Sequence, residues 1–81
     1  MNIIILKRVQ KQLDKMDAKT RKRIIEGLYG LMEIPPVGDI SKIQGEVKKY
    51  RLRIGDYRIL FALNNEDITI YDVGPRGDIY K

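Results

Sequence analysis

Residues 50–61, YRLRIGDYRILF, constrain this chain more than any other stretch. The segment alternates with period 2, meets Gly55-Asp56, and alternates again, as a β-hairpin does. Glycine supplies the positive φ that a two-residue hairpin turn needs. With that turn, Ile54 faces Tyr57, Arg53 faces Arg58 and Leu52 faces Ile59. Tyr50, Leu52, Ile54, Tyr57, Ile59, Phe61 and Leu63 then share one sheet face. Lys49, Arg51, Arg53 and Arg58 share the other.

The cover for the apolar face is written upstream. Val9, Leu13 and Met16 fall at i, i+4 and i+7, one stripe of a short amphipathic helix. Asp17 is placed to cap a second helix with inward residues Ile24, Ile25, Leu28, Leu31 and Met32, and the Pro35-Pro36 pair stops it. Before them, residues 2–6 (NIIIL) are β-branched and apolar, as in a buried strand. After a loop over residues 35–45 the period changes from 3.6 to 2, with strands expected at about 46–54, 57–63 and 67–73. Asn64-Asn65 marks the second turn. The fold expected is α+β in the order β-α-α-β-β-β. An N-terminal strand and a two-helix hairpin precede an antiparallel three-stranded meander, with the helices packed on one sheet face. The 81 residues make a single domain, 1–81.

Composition removes whole classes of chemistry. The chain has no cysteine, histidine or tryptophan. No disulfide, thiolate metal site or imidazole base is therefore available, and neither metal nor cofactor is expected. The carboxylates, among them Asp14, Asp17, Glu46, Glu66 and Asp67, show no metal-binding or glycosidase spacing. The apolar run over residues 3–6 is too short for a signal peptide or a membrane span, so a cytoplasmic location without a membrane partner is expected. With 16 Lys+Arg against 11 Asp+Glu, the net charge of +5 favours a polyanionic partner.

Where the charges fall says more than their sum. Like charges directly across two strands cost a few tenths to ~1 kcal/mol, and a carboxylate or threonine opposite Arg58 would fold better. The plain alternative is that long arginines splay into water and keep the strand soluble. Lys19, Arg21, Lys22 and Arg23 form a second basic cluster in the first turns of the second helix, where the macrodipole prefers acidic residues. A solvated helix face is the plain reading there. Two unfavourable clusters together point to a polyanion.

On the hairpin YRLRIGDYRILF and the closing VGPRGDIY at 73–80, the chain resembles the RelE/ParE superfamily of toxins from type II toxin–antitoxin pairs. The resemblance spans almost the whole length and implies the same fold that the periodicity predicts. For the RelE branch it implies a ribosome-dependent endoribonuclease that cuts mRNA in the A site, with a cognate antitoxin, the 70S ribosome and mRNA as partners. By motif, Arg58 matches the arginine that holds the scissile phosphate. Arg76 matches the C-terminal catalytic arginine, and Tyr80 the terminal tyrosine that stacks on a base; the plain role for Tyr80 is packing the last strand onto the core.

The family commonly has alternate lysines before the turn, whereas this chain has Arg51 and Arg53. Arginine stays protonated, so these two read as phosphate clamps. The general base is left open, with Lys48 and Lys49 as candidates, and attenuated activity is a further reading. Arg21, Lys22 and Arg23 join Lys48 and Lys49 as substrate-binding residues. The ParE branch implies a different function, inhibition of DNA gyrase without nuclease activity; a catalytically weak RNA-binding toxin is the third reading.

RNA carries its own nucleophile, the 2′-OH, so a chain whose only serine is Ser41 can still cleave it. Planar arginine forks grip phosphate oxygens in pairs and offset charge as the pentacoordinate state forms. General acid–base help is typically worth ~10²–10⁴-fold. A site built of arginines is therefore slow unless its substrate is bent for it, as a ribosome would do.

Overall fold

The computed structural model describes residues 2–75, so the candidates Arg76 and Tyr80 lie outside the described residues. The elements are β1 (Asn2–Ile5), α1 (Lys7–Asp14), α2 (Ala18–Gly30), β2 (Asp39–Lys42), β3 (Lys49–Ile54), β4 (Tyr57–Asn64) and β5 (Asp67–Pro75). The strands form one mixed sheet in the order β1-β5-β4-β3-β2. Strands β2 to β5 run as an antiparallel meander. Strand β1 lies parallel to β5, with Ile3 beside Ile68 and Ile5 beside Ile70.

The hairpin has the expected register, Ile54 opposite Tyr57 and Arg53 opposite Arg58. Gly55 makes the turn at φ 57°, in the left-handed region. Both helices lie on one sheet face. Val9 and Leu13 of α1 and Ile24 and Leu28 of α2 meet Leu52, Ile59, Phe61, Ile68, Ile70 and Val73 in one core. Each such side chain contributes roughly 1.5–3 kcal/mol on burial. Tyr50 stacks on Phe61 with ring centroids 5.6 Å apart. Helix α2 settles close to β3 because Gly27 has no side chain; a Cβ there would collide with Ile54. Asp17 caps α2 by accepting bonds from Thr20 Oγ1 at 2.7 Å and Thr20 N at 3.1 Å. These bonds, the hydroxyl's first, hold the Asp17 carboxyl below its ordinary value.

The structure differs from the sequence expectations at three places. The loop expected over 35–45 contains β2, so the meander has four strands rather than three. Asp-Ile-Ser-Lys gives too short an alternation to register, with Ile40 alone packing against the core. Strand β3 begins at Lys49 rather than near residue 46, because Lys48 sits in the left-handed region at φ 60° and interrupts the extended backbone. Glu46 therefore precedes the strand instead of opening it. Met32, expected inside, is 44% exposed. Helix α2 ends at Gly30, and the helical phase that would turn Met32 inward ends with it.

Candidate nucleic-acid interface

Alternation along the strands places the charged residues on the sheet face away from the helices. Register aligns them in rows across three or four strands. One row is Asp39, Arg53, Arg58 and Gly74; the next is Ser41, Arg51, Leu60 and Asp72; the third is Lys49, Ala62 and Thr69. The structure thus brings Lys49, Arg51, Arg53 and Arg58 together on one outer face.

Each cation is held in its own way. Arg53 Nε lies 3.1 Å from Asp39 Oδ2, a carboxylate delivered by the strand that sequence reading missed. That ion pair offsets the repulsion expected between Arg53 and Arg58. Arg58 itself is only 2% exposed. The sequence alone puts it on an open surface with phosphates as its partners, so its depth is a correction. Its neighbour on β5 is Gly74, which has no side chain to compete for the space beside it. An arginine so deep is costly to bury, and its charge stands at a fixed place. Lys49 Nζ lies 3.8 Å from Glu46 Oε2 and 5.5 Å from the centre of the Tyr71 ring. A carboxylate and an aromatic face both stabilise an ammonium, which suits Lys49 to offsetting charge. Lys48 is exposed and precedes β3; its carbonyl accepts a bond from Leu63 N at 2.8 Å.

The cluster on α2 sits elsewhere. Arg21 Nη1 lies 3.5 Å from both Leu13 O and Asp14 O, carbonyls at the end of α1, of which Leu13 O also accepts from Met16 N at 3.1 Å. Arg23 lays its guanidinium against the hairpin tip, with Nη2 3.0 Å from where a Gly55 Cβ would stand. Lys22 is exposed. These three belong to the helix layer, across the sheet from Arg51, Arg53 and Arg58, and the fold does not unite the two clusters.

Two residues of the outer face went unread in the sequence, Asp39 and Tyr71, and Glu46 was read only as a carboxylate without a metal-binding or glycosidase partner. Tyr71 is the extra residue of a β-bulge, since Leu60 pairs with Asp72 while Phe61 pairs with Ile70. Arg8 of α1 pins the bulge, donating from Nε and Nη2 to Tyr71 O at 3.0 and 2.6 Å. Burial first, then the Glu46 and Asp72 carboxylates, push the Tyr71 hydroxyl above its ordinary value, so the phenol stays neutral. The bulge had a signal: the inward residues Ile68, Ile70 and Val73 are spaced by two and then by three. Among the described residues no group of three His, Cys, Asp or Glu could hold a metal ion. Nor is any described helix long and apolar enough to cross a membrane.

Comparison with known proteins concerns the chain as a whole. A family model described as ParE toxin of the type II toxin–antitoxin system parDE matches residues 3–80. The toxin RelE3 of Methanocaldococcus jannaschii is 33% identical over 84 residues, covering 99% of this chain and 96% of that protein. The crystal structure of the RelB–RelE antitoxin–toxin complex from Methanococcus jannaschii contains a chain that superposes with a TM-score of 0.80 at 30% identity, covering 95% of this chain and 94% of that one. An archaeal RelE–RelB complex from Pyrococcus horikoshii gives a TM-score of 0.77, also at 30% identity, covering 95% and 96%.

Proposed function

The chain belongs to the ParE toxin family of type II toxin–antitoxin systems, and from that premise we propose that it is a RelE-like endoribonuclease that cleaves mRNA in the ribosomal A site. The observation that carries this reading is the set of cations, Lys49, Arg51, Arg53 and Arg58, that strand register brings together on one outer face, with Arg53 opposite Arg58. Strands about 4.8 Å apart give side chains a spacing that suits the oxygens of one phosphate and its neighbour.

In this reading the 2′-oxygen of one nucleotide attacks the adjacent phosphorus. The 2′-OH releases its proton to solvent, the new O–P bond closes a 2′,3′-cyclic phosphate, the bond to the 5′-oxygen breaks, and the 5′-oxygen takes up one proton from solvent in return. Arg58, Arg51 and Arg53 hold the non-bridging oxygens and offset the charge of the pentacoordinate state. Arg76 adds a further guanidinium from the C-terminal segment, and Tyr80 stacks on a base. Lys49, beside Glu46 and Tyr71, supports the departing oxygen; Lys48 touches the backbone of the message. Lys22 and Arg23 steer the toxin toward ribosomal RNA from the helix side, whereas Arg21 serves the fold first. No metal or cofactor enters, and a protein that works on ribosomes acts in the cytoplasm.

A RelB-like antitoxin is the proposed protein partner, since both archaeal neighbours were solved with one. A groove of about 370 Å³ between β1 and α2, lined by Ile3, Ile5, Ile25, Leu28, Tyr29 and Met32, offers it apolar surface to cover.

One observation favours a second reading. The matching family model is that of the ParE toxins, and gyrase inhibition without cleavage is the function which that branch implies. Purified chain added to translating ribosomes, with message ends mapped, separates the two. New ends inside A-site codons support the nuclease; intact messages with blocked supercoiling by gyrase would replace it with the second reading.

A further inference from the structure

Tyr71 stands apart from the cations around it. It is a half-buried aromatic on the face that carries the cations, placed there by a bulge that re-aims the strand. Its carbonyl is fixed by two bonds from Arg8. Bulges near functional sites commonly redirect a side chain in this way, and a doubly anchored backbone limits its freedom.

The surroundings have the makings of a base-sized seat. Between the basic edge on β3 and Tyr71 on β5 runs β4, whose outward residues here are Leu60 and Ala62. Leu60 stands between Arg51 and Asp72, and Ala62 between Lys49 and Thr69. An apolar strip one strand wide is thus bounded by guanidinium and ammonium groups on one side and an aromatic ring on the other. Arg51 and the bulge lie two strands apart, roughly 10 Å. A phosphate held on β3 therefore leaves room for an attached base to reach β5. Lys49 already crosses this strip, with its ammonium 5.5 Å from the ring centre.

Resting on the RNase reading above, we propose that Tyr71 is a nucleobase-binding residue. The base of a nucleotide flanking the scissile phosphate stacks on its ring over Leu60 and Ala62, and takes the place that the Lys49 ammonium occupies in the free protein. Displaced from the ring, Lys49 turns to the phosphate it now borders. Base entry and delivery of positive charge to the reacting phosphate are coupled. The neutral hydroxyl at the ring's far end supplies a donor or acceptor for the base edge, so Tyr71 also biases which base is cut.

The test uses ribosomes programmed with messages that carry a single 2′-deoxy linkage at the mapped cut site, which blocks cleavage and leaves binding. Each nucleotide around that site is replaced in turn by an abasic one. The parent is expected to lose about tenfold in affinity at the position seated on Tyr71, in the range seen for base–aromatic stacking. Tyr71→Leu keeps the apolar cover but not the ring, so it should bind less tightly by a similar factor and be indifferent to the abasic change at that one position. Tyr71→Phe should keep the abasic penalty and lose base preference among cut sites.

Three results would overturn the proposal. One is an abasic penalty at every position in Tyr71→Leu equal to the parent's. Another is a parent with no penalty at any flanking position. In both, cleavage by the parent leaves the RNase reading standing. A parent that neither cuts nor binds programmed ribosomes removes that reading and this one together.

Discussion

The cations on the outer face of the sheet and those at the start of α2 carry the same charge and are held differently. On the sheet, register fixes each position: Arg53 is tied to Asp39, Lys49 to Glu46, and Arg58 is packed almost out of reach of water. On α2, Lys22 extends into solvent, while Arg21 and Arg23 rest on the carbonyls of α1 and on the hairpin tip. A charge fixed before substrate arrives has little freedom left to lose and can stabilise a charge that develops beside it. A charge on an open stem acts mainly at long range, screened within about 8–10 Å at physiological salt. In the proposed reading the sheet serves the chemistry and the helix serves steering. Counting charges along the sequence does not separate the two clusters; register does.

The sharpest break in that comparison comes from Arg58. Arg58→Ala should abolish toxicity and, because the side chain is buried, lower the melting temperature as well. Arg58→Lys removes the planar fork while keeping a long cationic chain, and should lose about 10²-fold or more in cleavage. Growth on induction, compared at equal soluble abundance, reads both. Full toxicity of Arg58→Lys would show that no paired grip on phosphate is needed there.

Lys49→Met comes next. It removes the ammonium that the proposed reading brings to the reacting phosphate, without touching the core, so cleavage should fall by about tenfold while ribosome binding changes little. Equal losses in the two assays would reduce Lys49 to a general electrostatic contact, and the contrast with α2 would weaken.

The ion pair that restrains Arg53 has a smaller effect. Both partners are about half exposed, at 45% and 58%. Asp39→Asn should therefore destabilise by only a few tenths of a kcal/mol, by leaving Arg53 to face Arg58 alone. Arg53→Thr should be close to neutral, since it removes the pair and the repulsion together. A chemical-denaturation series on the two single variants and the double variant reads the coupling. A large loss in Arg53→Thr would mean that the contacts of Arg53 outweigh its repulsion from Arg58.

The smallest effect lies at the cap of α2. The Asp17 carboxyl is held below its ordinary value by Thr20, so its contribution is present above the unfolded-state value and fades as pH falls through the lowered one. Asp17→Ala should therefore lower the melting temperature slightly at neutral pH and make no difference at the acid end of the carboxylate range. A melting-temperature difference that persists unchanged in acid would assign the loss to something other than the cap.

The parts of the fold that the sequence revealed are those in which one period runs long enough to be read. The hairpin of β3 and β4, the apolar stripe of α1, that of the second helix as far as Leu31, and the Asp17 cap all have this property, and each stands where periodicity places it. Strand β2 escaped because four residues with one core contact carry almost no pattern. Its loss had a chemical consequence, since the carboxylate opposite Arg53 went with it and the arginines looked more strained than they are. Parity assigned the outer face correctly but could not give depth: it placed Arg58 beside Arg53 without showing that Arg58 is buried. Tyr71 escaped for a third reason. A bulge breaks the alternation at one residue, and only the uneven spacing of Ile68, Ile70 and Val73 reports it.

The contrast between the two clusters is tested most directly on ribosomes. Message ends are mapped at saturating toxin for the parent, for Arg51→Ala/Arg53→Ala on the sheet, and for Lys19→Ser/Lys22→Ser on α2, each checked for a native melting transition. The parent and the α2 variant should leave the same ends inside A-site codons, the α2 variant with a weaker salt dependence of binding. The sheet variant should leave none. Ends that vanish in the α2 variant and persist in the sheet variant would contradict the account.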